Sequence, residues 1–296
     1  MKLLGGGSLR APLLLLALLV SSAASAPTAG QDAPSARSLK LDEPAGLAPT
    51  IKPRKADNKY FHEPGGSDVL GHYDARYFHG VVPYDEHRPA LRLLIRSYLT
   101  AFRSLGVETW LAHGTLLGWW WNGKIMPWDY DLDVQVSSAT LYYLGKHHNR
   151  TMHEYFYVNE TTGNEEKKTY LLDINPHHVE RTRGDGMNVI DARWIDISNG
   201  MFIDITGLAE RDPMSNPGIW SCKNYHRYRT QDLYPMRETE FEGVTATVPY
   251  AFDKILIDEY GTKSLVTTEW LGHRWEPELK EWIKIPEPSE DQKPTH

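Results

Sequence analysis

Apolar residues recur with helical or strand periods from about Lys59 onward, whereas residues 27–57 show no such pattern. The clearest segment runs from Glu86 to Leu105 and is followed by Gly106, a common helix stop. The apolar positions that define one face of this segment are Leu91, Leu94, Ile95, Tyr98, Leu99, Phe102 and Leu105. Their three- and four-residue spacing predicts the first long helix.

Two further segments predict changes of chain direction. Residues 108–112 have the pattern of a short strand, and the chain then turns at Gly114 into the start of a helix. Asn199-Gly200 separates two alternating runs, which predicts a β-hairpin with a two-residue turn.

The last patterned stretch, residues 240–261, predicts a strand pair followed by a helix from about Ala251 to Tyr260, with Gly261 as its cap. The chain contains no internal repeat. Because strands and helices mix irregularly, we expect one α+β domain at residues 59–285.

The stretch MPWDYDLDVQV, residues 126–136, places carboxylates at every second position: Asp129, Asp131 and Asp133. In a strand these side chains share one face and lie about 6–7 Å apart. Like charges at that distance repel, so the arrangement costs stability unless a cation lies between them. A divalent ion, Mg²⁺ or Mn²⁺, meets that need and leaves coordination sites for phosphate oxygens.

Three other interpretations of this stretch differ in how well they fit its residues. A polar edge strand facing solvent fits the alternation alone. A calcium-binding EF-hand loop does not fit, because it needs Gly and Glu where this chain has Val134 and Thr140. A glycosyltransferase that uses an Asp-x-Asp motif to hold the metal of its nucleotide sugar stays open on spacing alone.

Upstream, Gly114 and Thr115 stand at the predicted helix start, where free backbone N–H groups bind phosphate. A third acid from a later strand is either Asp196 or Asp204. With a two-residue turn, Asp196 lies opposite Ile203, so the two acids face opposite sides of the hairpin. The residues alone do not choose between them.

Charge and composition narrow the classes of ligand. The formal net charge is −7, which argues against nucleic acid as a partner. With 41% hydrophobic residues the chain is able to bury a core. The 10 Trp and 16 Tyr residues are typical of carbohydrate sites, although core packing is the simpler role for most of them.

The two ends of the chain predict processing and flexibility. Residues 1–26 have a positive start, a ten-residue apolar run and small residues, which indicates a signal peptide rather than a membrane span. Residues 27–58 are rich in Ala, Pro and Ser, which predicts a flexible stem, and residues 286–296 predict a disordered tail. We therefore expect the chain in the lumen of the secretory pathway, in the Golgi or exported.

Two acceptor triplets and a single cysteine agree with that compartment. Asn149 and Asn159 each begin an Asn-x-Thr triplet, which predicts N-glycosylation. Cys222 has no partner in the chain, so no internal disulfide forms and stability must come from the core.

The combination HGTLLGWWWNGKIMPWDYDLDVQV, with MFIDITGL and FEGVTATVPYAFDKILIDEYG farther on, resembles the LicD family, and within it the fukutin, fukutin-related and fungal mannosylphosphorylation proteins. The resemblance runs from about Lys59 to Gly261. It implies a nucleotidyltransferase-like fold, with a mixed β-sheet flanked by helices in a single catalytic domain.

The resemblance also implies roles for particular residues. Asp131, Asp133 and Asp204 would be the catalytic metal ligands, which favours Asp204 over Asp196. Gly114 and Thr115 would contact the phosphate of the donor.

Other roles follow less directly. Many family members have an Arg after Leu-Leu-Gly, where this chain has Trp121 and Asn122. The missing cation could come from Arg193 as a donor contact, although an internal ion pair is an equal alternative for that residue, or from Lys124, Arg181 or Arg183. Asp129 and His113 are expected to support the site.

The resemblance implies two alternative functions. The first is a metal-dependent phosphotransferase that moves a phosphorylated sugar or alcohol, such as mannose 1-phosphate from GDP-mannose, to a glycan hydroxyl on a glycoprotein or cell-wall mannan. The second is a non-catalytic regulator or scaffold of a separate mannosylphosphate transferase, which would then be its partner.

Overall fold

The computed structural model describes residues 58–286. The predicted signal peptide, the stem up to residue 57 and the tail after Pro286 lie outside the described residues. Between residues 58 and 286, no helix is both long and apolar enough to cross a bilayer.

Helices and strands mix along the described chain, as the apolar pattern predicts. The helices are α1 (Tyr84–Ser104), α2 (His113–Asn122), α3 (Ser138–His147), α4 (Thr230–Leu233) and α5 (Phe252–Tyr260), with 3-10 turns at Leu70–His72, Pro176–Val179 and Thr262–Leu265. The strands are β1 (Trp110–Leu111), β2 (Asp133–Ser137), β3 (Thr151–Val158), β4 (Glu165–Ile174), β5 (Ala192–Asp196), β6 (Phe202–Glu210), β7 (Ile219–Ser221), β8 (Arg227–Arg229), β9 (Arg237–Phe241), β10 (Val244–Val248), β11 (Glu269–Trp270), β12 (His273–Glu276) and β13 (Glu281–Lys284).

One mixed sheet organises the domain. Its strands run in the order β1-β2-β6-β5-β4-β3, and β7 and β8 extend from β6. β2 and β6 are parallel, whereas the neighbouring pairs β1–β2, β6–β5, β5–β4 and β4–β3 are antiparallel. The strands β9 and β10 form a separate hairpin, and β11, β12 and β13 form a second small sheet.

The core lies between this sheet and the helices beside it. α1 contacts β5 and β6, and α3 contacts β2 and β6. The predicted helix at Glu86–Leu105 is confirmed, with a start two residues earlier, and its apolar face is buried. The α+β fold with a mixed sheet flanked by helices is therefore confirmed.

The acidic stretch is only partly a strand. β2 begins at Asp133, so Asp129 and Asp131 lie in the loop before it, and the prediction of one continuous acidic strand is wrong. On one side β2 pairs with β1 only through Val134 and Gln135, and on the other the last bond toward the loop runs from Asp204 N to Leu132 O. Farther upstream the backbone turns, with Asp129 N donating to Met126 O at 3.0 Å.

The hairpin between β5 and β6 has a longer turn than predicted. The register pairs Arg193 with Asp204 and continues to a bond from Asp196 N to Met201 O at 2.8 Å, so the loop has four residues rather than two. The shift is by two positions and therefore preserves the faces of the strands. Asp196 and Asp204 point to opposite sides, as predicted.

We predict that Gly207→Ala destabilises the domain by about 1–3 kcal/mol, because a methyl group there overpacks the interior. An added Cβ would lie 2.8 Å from Cδ2 of Leu141 and 3.1 Å from Nη2 of Arg181. Gly66→Ala is the control, since its added Cβ meets nothing within 4 Å. Denaturant unfolding measures both; equal midpoints for the two variants would contradict the packing around β6.

Candidate active site

Two carboxylates lie side by side where β2 and β6 run parallel. Asp133 and Asp204 are direct partners in the register, on strands that are spaced by about 4.8 Å. Asp131 lies in the loop two residues earlier, close enough for its charge to affect both of them. Together with Asp129 these residues form the acidic cluster.

Asp196, the other candidate acid, has a structural role. Its carboxylate accepts hydrogen bonds from Ser198 N at 2.9 Å and from Lys168 Nζ at 2.6 Å. These contacts hold the β5–β6 turn. The geometry therefore favours Asp204 as the third acid of the site.

Backbone contacts fix Asp133 in place. Its N–H donates to Thr115 Oγ1 at 2.9 Å, and its carbonyl accepts from Ala112 N at 3.1 Å. Asp204 N donates to Leu132 O at 2.9 Å. Thr115 is buried, and its hydroxyl joins α2 to the first residue of β2. Its predicted contact with donor phosphate stays a prediction.

Gly114 lets a carboxylate approach the start of α2. A Cβ at this position would lie 2.9 Å from Asp129 Oδ2. The first helical bond of α2 runs from Leu116 N to Ala112 O, so the preceding N–H groups have no acceptor within the helix. Gly114 therefore allows the Asp129 carboxylate to lie beside the start of α2, and its predicted contact with donor phosphate stays a prediction.

Burial and the charges of neighbouring acids raise the pKa values of three residues of the acidic cluster, Asp129, Asp133 and Asp204. Burial, the hydrogen bond and charge of Asp131, and the charge of Asp133 raise the pKa of Asp129 to about 9. Burial raises the pKa of Asp133 to about 7; the charges of Asp131 and Asp204 add to this, and the neighbouring His113 opposes it. The pKa of Asp204 is also raised, mainly by burial.

His113 lies beside the cluster in a strained backbone conformation, with φ of 51°. Its Nδ1 lies 2.9 Å from Glu259 Oε2, and Tyr228 donates to the other oxygen of Glu259 at 2.8 Å. Burial alone would lower the pKa of His113, but the bond to Glu259 and the charge of Asp133 raise it. The contacts with Glu259 and Asp133 thus favour the protonated form of His113, whose supporting role in the site stays a prediction.

Two cavities meet at Asp133 and Tyr260. The polar cavity, about 600 Å³, is lined on one side by His113, His226, Arg227 and Lys254. The aromatic cavity, about 560 Å³, is lined by the indole rings of Trp121, Trp128, Trp270 and Trp282 together with Asp129 and Asp131.

Several lining residues were missed by the sequence reasoning. Arg227 forms no ion pair within residues 58–286 and alternates with buried Tyr228 on the short strand β8. The alternation of Arg and Tyr at residues 227–229 was the sequence signal that could have predicted an exposed Arg227 on a strand. Glu259 and Lys254 are on α5, whose helical pattern was predicted without assigning them a role.

Arg193 is an internal ion-pair partner in this structure. The side chain is 3% exposed and bonds Glu63 Oε1 at 2.6 Å and Asp204 Oδ1 at 2.9 Å, with Asp74 Oδ2 at 3.7 Å. Its guanidinium also lies 3.6 Å from the ring centre of Phe202. Its contact with donor phosphate stays a prediction, and such a contact would require Arg193 to leave these acids.

The donor set of the acidic cluster fits a hard divalent cation, because carboxylate oxygens are the ligands that Mg²⁺ and Mn²⁺ prefer and these carboxylates repel one another. As the side chains stand, however, no group of three or more His, Cys, Asp or Glu residues in the described region is arranged to hold a metal ion. Asp204 is directed to Arg193 instead. Metal binding would require Asp204 to turn toward Asp131 and Asp133.

The other predicted residues lie elsewhere. Lys124 pairs with Glu281 of β13 and lines neither cavity. Asn149 is exposed, and its side chain accepts from Ile174 N at 3.0 Å. Asn159 lies in the β3–β4 loop and donates to Glu166 at 2.7 Å. Glycosylation of both asparagines stays a prediction.

A mixed sheet with paired acids on neighbouring parallel strands, next to the free start of a helix, defines a nucleotidyltransferase-type domain. Residues 106–251 match the family described as LicD/FKTN/FKRP, nucleotidyltransferase domain. The chain therefore carries a domain of the LicD family, as the motifs predicted. Helix α5 and the small sheet β11–β13 lie beyond the matched residues.

Two yeast proteins are similar to this chain. It is 32% identical to mannosyltransferase regulator 4 of Saccharomyces cerevisiae over 207 residues, which cover 68% of this chain and 17% of that protein. It is 36% identical to mannosyltransferase regulator 14 of the same organism over 161 residues, which cover 51% of this chain and 16% of that protein. The chain thus spans about a sixth of the length of these relatives.

We predict that Arg193→Met destabilises the protein by about 3–5 kcal/mol, because it leaves Asp204 and Glu63 without their buried partner. Arg103→Met is the control, since the Arg103–Glu238 pair is exposed and its loss should change little. Urea unfolding of both variants measures the difference. If Arg193→Met is as stable as the control, the ion pairs of Arg193 with Glu63 and Asp204 do not stabilise the protein.

Proposed function

We propose that this domain transfers a substituted phosphate group from a nucleotide-diphosphate donor to a glycan hydroxyl, with a divalent cation. The observation that carries the proposal is the in-register pairing of Asp133 and Asp204. Placing two acids side by side costs free energy, and a scaffold gains nothing from that cost. Two cavities open beside Asp133, which gives room for two substrates.

The residues divide the reaction between them. Asp131, Asp133 and Asp204 would hold Mg²⁺ or Mn²⁺, and the ion would neutralise charge on the transferred phosphoryl group. Arg227 and Lys254 in the polar cavity bind the donor diphosphate. His113 keeps a positive charge beside Asp133, oriented by Glu259.

The transfer is an in-line displacement. The acceptor hydroxyl oxygen bonds to the phosphorus next to the transferred sugar or alcohol, and the bond from that phosphorus to the bridging oxygen breaks. The nucleoside monophosphate leaves with the bridging oxygen. A carboxylate of the acidic cluster takes the hydroxyl proton.

The names of the relatives suggest the substrates. Both are mannosyltransferase regulators, which supports mannose 1-phosphate as the transferred unit, GDP-mannose as its donor and a mannan chain on a glycoprotein as the acceptor. The predicted signal peptide and glycosylation triplets support the lumen of the secretory pathway, in the Golgi, as the proposed location of this reaction.

A second function is favoured by a separate observation. The relatives are named regulators, and Asp204 is paired with Arg193 rather than directed into a metal group. A non-catalytic regulator of a mannosylphosphate transferase would keep the Arg193–Asp204 ion pair, with the transferase as its partner.

We predict that the purified protein releases nucleoside monophosphate from one of a panel of nucleotide-diphosphate donors when Mg²⁺ or Mn²⁺ and a mannooligosaccharide are present. Asp133→Asn should lower the rate at least about 100-fold, because it removes charge stabilisation at the reacting group. Asp68→Asn, an exposed acid that lines neither cavity, is the control.

The regulatory alternative gives a different result. In cells, glycan mass spectrometry compares a deletion with the double variant Asp131→Asn and Asp133→Asn. The regulatory function is supported if mannosylphosphate is lost in the deletion but kept in the double variant, and if the purified protein releases no nucleoside monophosphate from any donor. These two results together would contradict the proposed enzyme.

A further inference from the structure

The aromatic cavity contains one tryptophan whose position packing does not explain. Trp282 is mostly buried and lies 4.8 Å from the ring of Trp121 and 4.9 Å from that of Trp128, so these three rings join the small sheet to α2. Trp270 contacts no other ring among the described residues and is 57% exposed. An exposed indole at the edge of a cavity is free to contact a ligand.

The backbone around Trp270 holds it at that edge. Trp270 pairs with His273 across the tight turn of β11 and β12. Leu271 and Gly272 in the turn have φ of 42° and 73°. His273 is buried and lies 5.5 Å from the ring of Trp128, so the hairpin is anchored to the cavity floor. The exposed ring therefore stands on a fixed support.

The charges of the cavity select its occupant. Asp129, Asp131 and Asp133 line one side, and Lys263 is the only cation among the residues that line this cavity. Without a bound metal ion, as in the binding test below, the ionised acids among them repel a nucleotide or a free phosphate. A neutral saccharide instead offers hydroxyl donors to the carboxylates and an apolar ring face to the indoles.

We infer that the aromatic cavity is the subsite for the neutral saccharide acceptor, with Trp270 as the stacking residue. The inference rests on the proposed function and assigns the acceptor to the side of Asp133 opposite the donor. Two of its four tryptophans, Trp270 and Trp282, come from β11 and β13, which lie outside the residues that match the family, whereas Trp121 and Trp128 lie within them. The small sheet thus supplies acceptor recognition to a common phosphotransferase domain.

Saturation-transfer NMR on the full chain, with a neutral mannooligosaccharide and without donor or metal, tests the inference. The wild type should bind, and Trp270→Ala should weaken binding about tenfold, as expected for one lost aromatic stack. Phe156→Ala is the matched control, because Phe156 is an aromatic residue that is 69% exposed on the outer strand β3. The thermal midpoint of both variants should equal that of the wild type.

Competition with GDP separates the two ligand classes. Saccharide binding that GDP leaves unchanged supports the inference, whereas displacement by GDP assigns the aromatic cavity to the nucleotide and overturns it. Equal saccharide affinity of Trp270→Ala and wild type also overturns it. Saccharide binding is measured without turnover, so the inference and the proposed function fail separately. A protein that binds saccharide through Trp270 but releases no nucleoside monophosphate would refute the proposed function and still support the saccharide subsite.

Discussion

The parallel pairing of β2 with β6 is the constraint on which the site depends. It places Asp133 and Asp204 next to each other, with a backbone bond from Asp204 N to Leu132 O that fixes the register. A slip by one residue would move one acid to the opposite face of the sheet and into the core. The buried neighbours Val134 and Ile205 resist such a slip, because they would then face the site.

The protein offsets the repulsion between these acids with cations from distant parts of the chain. Arg193 bonds Asp204 from the neighbouring strand, and His113 lies beside Asp133 at the start of α2. Each cation is in turn held by a further acid, Glu63 or Glu259. The site is therefore a balanced network in which a bound metal ion would compete with Arg193 for Asp204. Such competition would let the proposed catalytic and regulatory functions share one geometry.

Local patterns predicted much of the fold, whereas the choice of Asp204 over Asp196 came from the family resemblance. The helix α1 and the faces of the hairpin follow from spacing between neighbouring residues, and the faces were correct although Asp196 draws Ser198 into a longer turn. The contacts of Arg193 and His113 were beyond such reasoning. Their partners Glu63 and Glu259 lie 130 and 146 positions away along the chain, and only the folded sheet brings them together.

Under the inferred acceptor subsite, the aromatic cavity would give a common domain its own substrate surface. The matched residues supply the acids and α2, and the small sheet beyond them supplies Trp270 and Trp282. The central claim is that the acidic cluster binds a divalent ion. Mn²⁺ titration followed by electron paramagnetic resonance should show one bound ion in the wild type and in Asp68→Asn, and none in Asp133→Asn. Equal binding by Asp133→Asn, or no binding by the wild type, would contradict the account.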